Sequence, residues 1–300
     1  MSMLILGIAA GLLAAFMQSC SYLGGRRFLA MHGNAQQLLF ASLIINGVAA
    51  LAMAPFFLEW KNFCSWQIWF YILICNGGLI LGNWGFFSAQ KYIESSRIAS
   101  LMGLKVILVT LLSMIFLGSK FIGWQYVAII LTAFAAMLMN WSRGKLDFNG
   151  MGYLLMALIG YAFSDMGIQL LVAYLQCSSP IAGGLSGYVL TYGSMGIVAI
   201  LLMKPLRVNW KMVAGALPQG VCWTVSMWGL YVCFGLLGAA FGNVIQASRG
   251  VISLILGIIL SYFCIEGLEQ KQSLAVWLRK TAAALLMFGA IVLYALSAEG

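Results

Sequence analysis

Charge is what this chain has least of. Charged side chains make up 8% of the 300 residues, and only seven residues are acidic. Roughly a quarter of a soluble domain is charged, so the composition excludes an ordinary water-soluble fold. Histidine occurs once, at His32, beside a glycine where a loop is expected. The seven acids supply no paired carboxylates on one helix face, and H-E-x-x-H, P-loop and nucleophile-elbow patterns are all missing. An enzyme is therefore not expected. The seven cysteines form no C-x-x-C spacing and lie mostly inside apolar runs, so they read as small packing residues, and no metal or cofactor is expected. Four prolines are too few for a linker-rich chain. The net charge of +9 comes from basic residues scattered in ones and twos, which form no stripe for nucleic acid.

Apolar sequence fills the space left by charge. Hydrophobic residues make up 63% of the chain and its mean hydropathy is +0.99. The runs are too long and unbroken for the alternating pattern of a β-barrel, so the expected class is an all-α integral membrane protein. The first run, Met3 to Gly24, has no basic n-region and reads as a retained helix. The second to fifth helices are predicted near 37–58, 66–89, 97–117 and 122–141, and the sixth to tenth near 151–175, 181–203, 212–236, 241–263 and 277–296. A polar stretch, SRGKLDFNG, falls between the fifth and sixth. The expected organisation is one membrane domain of two five-helix repeats, 1–145 and 146–300. With the amino terminus outside, twelve of the 16 basic residues fall in cytoplasmic loops and two, Lys61 and Lys120, outside. Both termini are therefore expected outside the cytoplasm, and five helices per half make the repeats inverted.

The remaining two cations, Lys105 and Arg249, fall within apolar, helix-length segments. A cation at that depth is costly and marks a functional site by default. They stand 144 residues apart, as do the dipeptides Trp84-Gly85 and Trp228-Gly229, which suggests a duplicated layout. Both cations should approach the bilayer midplane, where they can bind an anionic group, Arg249 through its fork of donors and Lys105 as a point charge. The alternative is neutralisation by protein. Asp165 is expected at the depth of Arg249, so those two form the predicted ion pair, whereas Lys105 has Ser21 or Cys20 where the other half has an acid. Lys105 is thus the preferred substrate residue. A second use of these groups is proton coupling through Asp165 or Lys105. Trp84 and Trp228 either stack on substrate or pack beside their glycines. Asn83, Gln246, Ser248 and Tyr231 add hydrogen-bonding capacity, and Gln18, Ser19 and Ser21 are polar positions near the end of the first helix.

The five-plus-five layout, with SSRIASLMGLKVILVTLLSMIFLG running into a short loop and a fifth helix, resembles the ten-helix, EamA-like branch of the drug/metabolite transporter superfamily. Arg26-Arg27 after the first helix and Gly82-Asn83 before Trp84-Gly85 are similar to its rhamnose-transporter branch. One departure is Ser119-Lys120, where EamA-like sequences commonly carry an acid. The resemblance implies a secondary transporter of the inner membrane working by alternating access. Basic residues in the same helices of sugar-phosphate and nucleotide-sugar carriers favour a small anionic metabolite. The alternatives are a proton-coupled neutral-sugar symporter of the rhamnose type and an amino-acid or drug exporter. The expected partners are substrate, lipid and protons, with the protein a monomer.

Overall fold

The computed structural model describes residues 2–32, 34–58, 65–93, 98, 101–140, 150–175, 179–262 and 274–299. These residues are helical throughout, with no strand among them. The helices are α1 (Ser2–His32), α2 (Ala35–Phe57), α3 (Trp66–Ala89), α4 (Lys105–Leu117), α5 (Gly123–Asn140), α6 (Met151–Leu175), α7 (Pro180–Leu201), α8 (Trp210–Gln246), α9 (Arg249–Tyr262) and α10 (Leu274–Glu299). Six of them, α1, α2, α3, α6, α7 and α8, are long and apolar enough to cross a membrane. The chain is an all-α membrane protein.

Local chemistry sets many of the ends. Asn34, Ser179 and Asn209 cap α2, α7 and α8 with side-chain oxygens that accept backbone N–H groups. Gly118 closes α4 in the left-handed conformation at φ 60°. Cys20, Cys75, Cys222 and Cys233 are free thiols, whereas Cys64, Cys177 and Cys264 lie outside the described residues.

Three predicted boundaries are corrected. The first helix continues past Arg26-Arg27 to His32, which therefore ends a helix instead of sitting in a loop. Before α4 comes a 3₁₀ turn, Met102–Leu104, so Lys105 is the first residue of its α-helix and not the middle of a longer one. On the other side, α8 continues through the expected loop to Gln246 but breaks at Gly238, with φ 79° and ψ 162°. The chain turns back there. A Cβ added at Gly242 would lie 3.4 Å from the Cys233 sulfur, nine residues away, a separation that would span about 13 Å in a straight helix. That backbone region is essentially reserved for glycine. Gly238→Ala is expected to cost about 1–3 kcal/mol, visible as a lower Tm of the detergent-solubilised protein.

Small residues bring the helices together, as membrane packing requires in the absence of a hydrophobic drive between helices. α2 crosses α7 at Gly47 and Gly196, where a Cβ on either would sit 2.3 Å from the other's Cα. Gly85 of α3 rests on Tyr153 and Ala157 of α6, and Gly229 of α8 rests on Ala10 and Ala14 of α1. The most extensive contacts are α1 with α8 and α3 with α6, and α4 runs along α6 while α9 runs along α1. These pairings place the breaks preceding α4 and α9 around one central cavity.

Candidate functional site

The cavity is lined by Lys105, Asp165, Arg249, Gln18 and Gln246, by the aromatic residues Tyr161, Tyr192, Trp223 and Tyr231, and by apolar side chains such as Leu79 and Met227. Its free volume is about 20 Å³, room for little more than one water molecule. Each helix supplies its lining at helical spacing. α6 contributes Tyr161, Ser164, Asp165 and Ile168, and α8 contributes Trp223, Met227, Leu230 and Tyr231.

The ion pair differs from the expected one. Asp165 Oδ2 lies 2.5 Å from Lys105 Nζ, and Asn243 Nδ2 donates to the same oxygen at 2.8 Å. Lys105 Nζ also stands 5.6 Å from the centroid of the Tyr161 ring. Arg249 instead donates from Nη1 to Gln18 Oε1 at 2.7 Å and from Nη2 to the Met102 carbonyl at 3.1 Å, while its Nε has no partner. The helix packing explains the exchange. Each cation turns toward the helix that its own lies along, so Lys105 meets Asp165 on α6 and Arg249 meets Gln18 on α1. The carbonyl that Arg249 reaches belongs to the 3₁₀ turn before Lys105, and Ser19 Oγ donates to the Arg249 carbonyl from α1.

The electrostatic sum follows from three groups. Lys105, Asp165 and Arg249 are 4%, 3% and 3% exposed, and among the described residues no carboxylate lies within ion-pair distance of Arg249. Of the other acids of the sequence, Glu299 is the last residue of α10, and Glu59, Glu94, Asp147, Glu266 and Glu269 lie outside the described residues. Counted over the described residues, the buried centre therefore carries one uncompensated positive charge, and it resides on Arg249 instead of Lys105.

The remaining expected site residues divide. Tyr231 and Gln246 line the cavity; Tyr231 shares a 2.6 Å hydrogen bond with Thr191, and Gln246 Nε2 donates to the Gly11 carbonyl at 3.4 Å. Asn83 lies one shell out and accepts from the Tyr161 hydroxyl at 2.6 Å. Ser248 is buried in the break before α9, outside the lining, with no partner for its hydroxyl. Trp84 is 49% exposed, because Gly82 and Gly85 turn the adjacent face of α3 onto α6. Trp228 stands edge-on to Tyr188, 6.2 Å between centroids, away from the cavity. Neither tryptophan reaches the centre. The aromatic wall is made by Trp223, whose Nε1 donates to the Tyr192 hydroxyl at 2.9 Å, and by Tyr161. The i, i+4, i+7, i+8 stripe of Trp223, Met227, Leu230 and Tyr231 was the available signal for it.

On one side of this centre, about one turn further along α6 and α8, a cavity of about 330 Å³ is bounded by Gln169, Val172, Phe234 and Gly238. The Gln169 side chain accepts the Ala239 N–H at 2.9 Å and so satisfies the break. On the other side Tyr22, Phe28, Leu38 and Phe86 close tightly, and Gln90 and Gln219 flank Gly25 of α1. Gln90 donates to the Tyr22 carbonyl, but its Oε1 and both amide atoms of Gln219 have no partner. A buried polar group left unpaired costs about 1–3 kcal/mol. Gln219→Leu is therefore expected to raise the Tm by the equivalent of about 1 kcal/mol, while Leu substitution of the well-bonded Asn46 lowers it.

The centre thus holds buried charges in a closed cavity between apolar helices. Residues 5–141 match the EamA-like transporter family. A solved crystal structure, 15% identical, superposes with a TM-score of 0.65 over 98% of this chain and 97% of its own, which shows a shared fold. No curated protein matches the sequence significantly.

Proposed function

We propose that the protein is a secondary transporter of the cytoplasmic membrane that moves a small metabolite carrying one anionic group, by alternating access around the central cavity. The observation that carries this reading is the charge sum among the described residues: two buried cations against one buried carboxylate, with the excess on Arg249. An unpaired charge at that depth is stable only with a counter-ion, and an anionic substrate group supplies it. The fork of Arg249, with Nε still free, is suited to a carboxylate or a similar oxyanion. Lys105 is held by Asp165 and serves coupling or gating, including coupling to protons. The aromatic wall receives the apolar body of the substrate.

Alternating access draws support from paired features of the two halves, read as inverted five-helix repeats over 1–145 and 146–300. Gly85 on Tyr153 and Ala157 answers Gly229 on Ala10 and Ala14, and Gly24 against Gln219 answers Gly167 against Cys75. Lys105 beside Tyr161 likewise answers Arg249 beside Gln18. In this register Asp165 answers Tyr22 instead of Ser21 or Cys20. With both termini outside, the larger cavity opens toward the outer face. The halves complete one another within a chain, which favours a monomer.

A thermal-shift panel on the detergent-purified protein tests the reading with ring compounds of different charge: benzenesulfonate and benzoate as monoanions, phenyl phosphate, benzyltrimethylammonium, and neutral sugars. Stabilisation by a monoanion is the expected result. Stabilisation by neutral sugars or the organic cation alone would overturn it in favour of a sugar symporter or a drug exporter.

A further inference from the structure

We propose that the protein is an exchanger: it swaps one monoanion for another across the membrane far faster than it moves an anion in one direction. The inference rests on the anionic reading above and adds to it the consequence of the charge count for the empty carrier.

A carrier that moves its cargo in one direction must return empty. Both passages go through a closed form in which the centre is cut off from water on both sides. For the loaded carrier the cost is small, since Lys105 is paired with Asp165 and the bound anion neutralises Arg249, leaving a core of zero net charge. For the empty carrier the same closure traps one positive charge whose partners among the described residues are neutral, chiefly Gln18 and the Met102 carbonyl. While either gate is open, water can solvate that charge. In the closed geometry it cannot, because the cavity of about 20 Å³ admits roughly one water molecule and Arg249 Nε remains unpartnered. Burial of an uncompensated charge is strongly disfavoured, so the empty carrier waits at the face where it released its cargo until another anion binds.

The count also fixes the valence. Asp165 already cancels one of the two cations, so a dianion would leave the closed core negative, whereas a monoanion leaves it neutral. Voltage follows the same logic. The loaded core moves no net charge and the empty core moves one, so one-way flux responds to membrane potential and exchange does not.

The test uses the full chain in sealed liposomes and radiolabelled benzenesulfonate, which is permanently ionised and does not leak as a neutral acid. Liposomes preloaded with unlabelled benzenesulfonate are expected to take up label at least tenfold faster than empty ones. A potassium–valinomycin potential, positive inside, should accelerate uptake into empty liposomes and change exchange by less than twofold. Arg249→Lys, which keeps the charge, should retain a large ratio of exchange to one-way uptake even where affinity falls. Saturable uptake that is equally fast into empty and preloaded liposomes would overturn exchange and leave the anionic reading standing. Failure of both monoanions of the panel to stabilise the protein or to be transported would overturn both.

Discussion

Replacing Arg249 with glutamine is expected to abolish monoanion-induced stabilisation, weakening binding at least 100-fold, while leaving the empty protein as stable as before or slightly more so. Two effects set these directions. The guanidinium is the only buried cation among the described residues without an acidic partner, so its removal takes away the charge that an anion would neutralise. The empty centre then becomes neutral, with Lys105 and Asp165 still paired, and loses the cost of an isolated buried charge. Against this stands the loss of two hydrogen bonds, to Gln18 and the Met102 carbonyl, each worth about 1.5–3 kcal/mol when one partner is charged. Glutamine can restore one of them. Thermal melts of wild type and Arg249→Gln, with and without benzenesulfonate, read both effects at once. Undiminished stabilisation by the anion in the variant would remove Arg249 from the site.

Much of this was legible in the sequence because the membrane simplifies the problem. With water excluded, a span must be a long apolar helix, so hydropathy alone located α3 and α6 to the residue and α2, α5, α7 and α10 to within three, whereas α1, α4, α8 and α9 each differ by eight to ten residues at one end. Lys105, Asp165 and Arg249 stood out for the same reason, as rare charges within those spans. Their pairing did not follow, because depth is not direction: Asp165 is near enough in depth to either cation, and only the packing of α4 on α6 and of α9 on α1 decides between them. The breaks before Lys105 and Arg249 were hidden because neither contains proline. Trp84-Gly85 misled by its symmetry. The repeated feature was the glycine contact, and the tryptophan beside it necessarily points to another face.

The pairing of Lys105 with Asp165 yields the largest expected effect on folding. Both side chains are buried, and Asp165 also accepts from Asn243, so the carboxylate holds together α4, α6 and the second segment of α8. Asp165→Asn should destabilise the protein by about 3–5 kcal/mol, since it strands the Lys105 ammonium in an apolar core already carrying the Arg249 charge. Lys105→Met should also destabilise, leaving Asp165 with Asn243 and, at a distance, Arg249; the net charge of the centre then falls to zero, so this loss should be the smaller one. The double variant Lys105→Met/Asp165→Asn removes both charges and should recover most of the stability, giving a coupling energy of about 2 kcal/mol or more in the cycle. Additive losses would mean that the two groups do not depend on each other, and would return Asp165 to the pairing with Arg249. The same cycle separates structure from transport. Because the double variant keeps the single positive charge on Arg249, it should still bind benzenesulfonate, and any loss of transport with binding retained assigns the Lys105–Asp165 pair to the movement of the gates instead of to recognition.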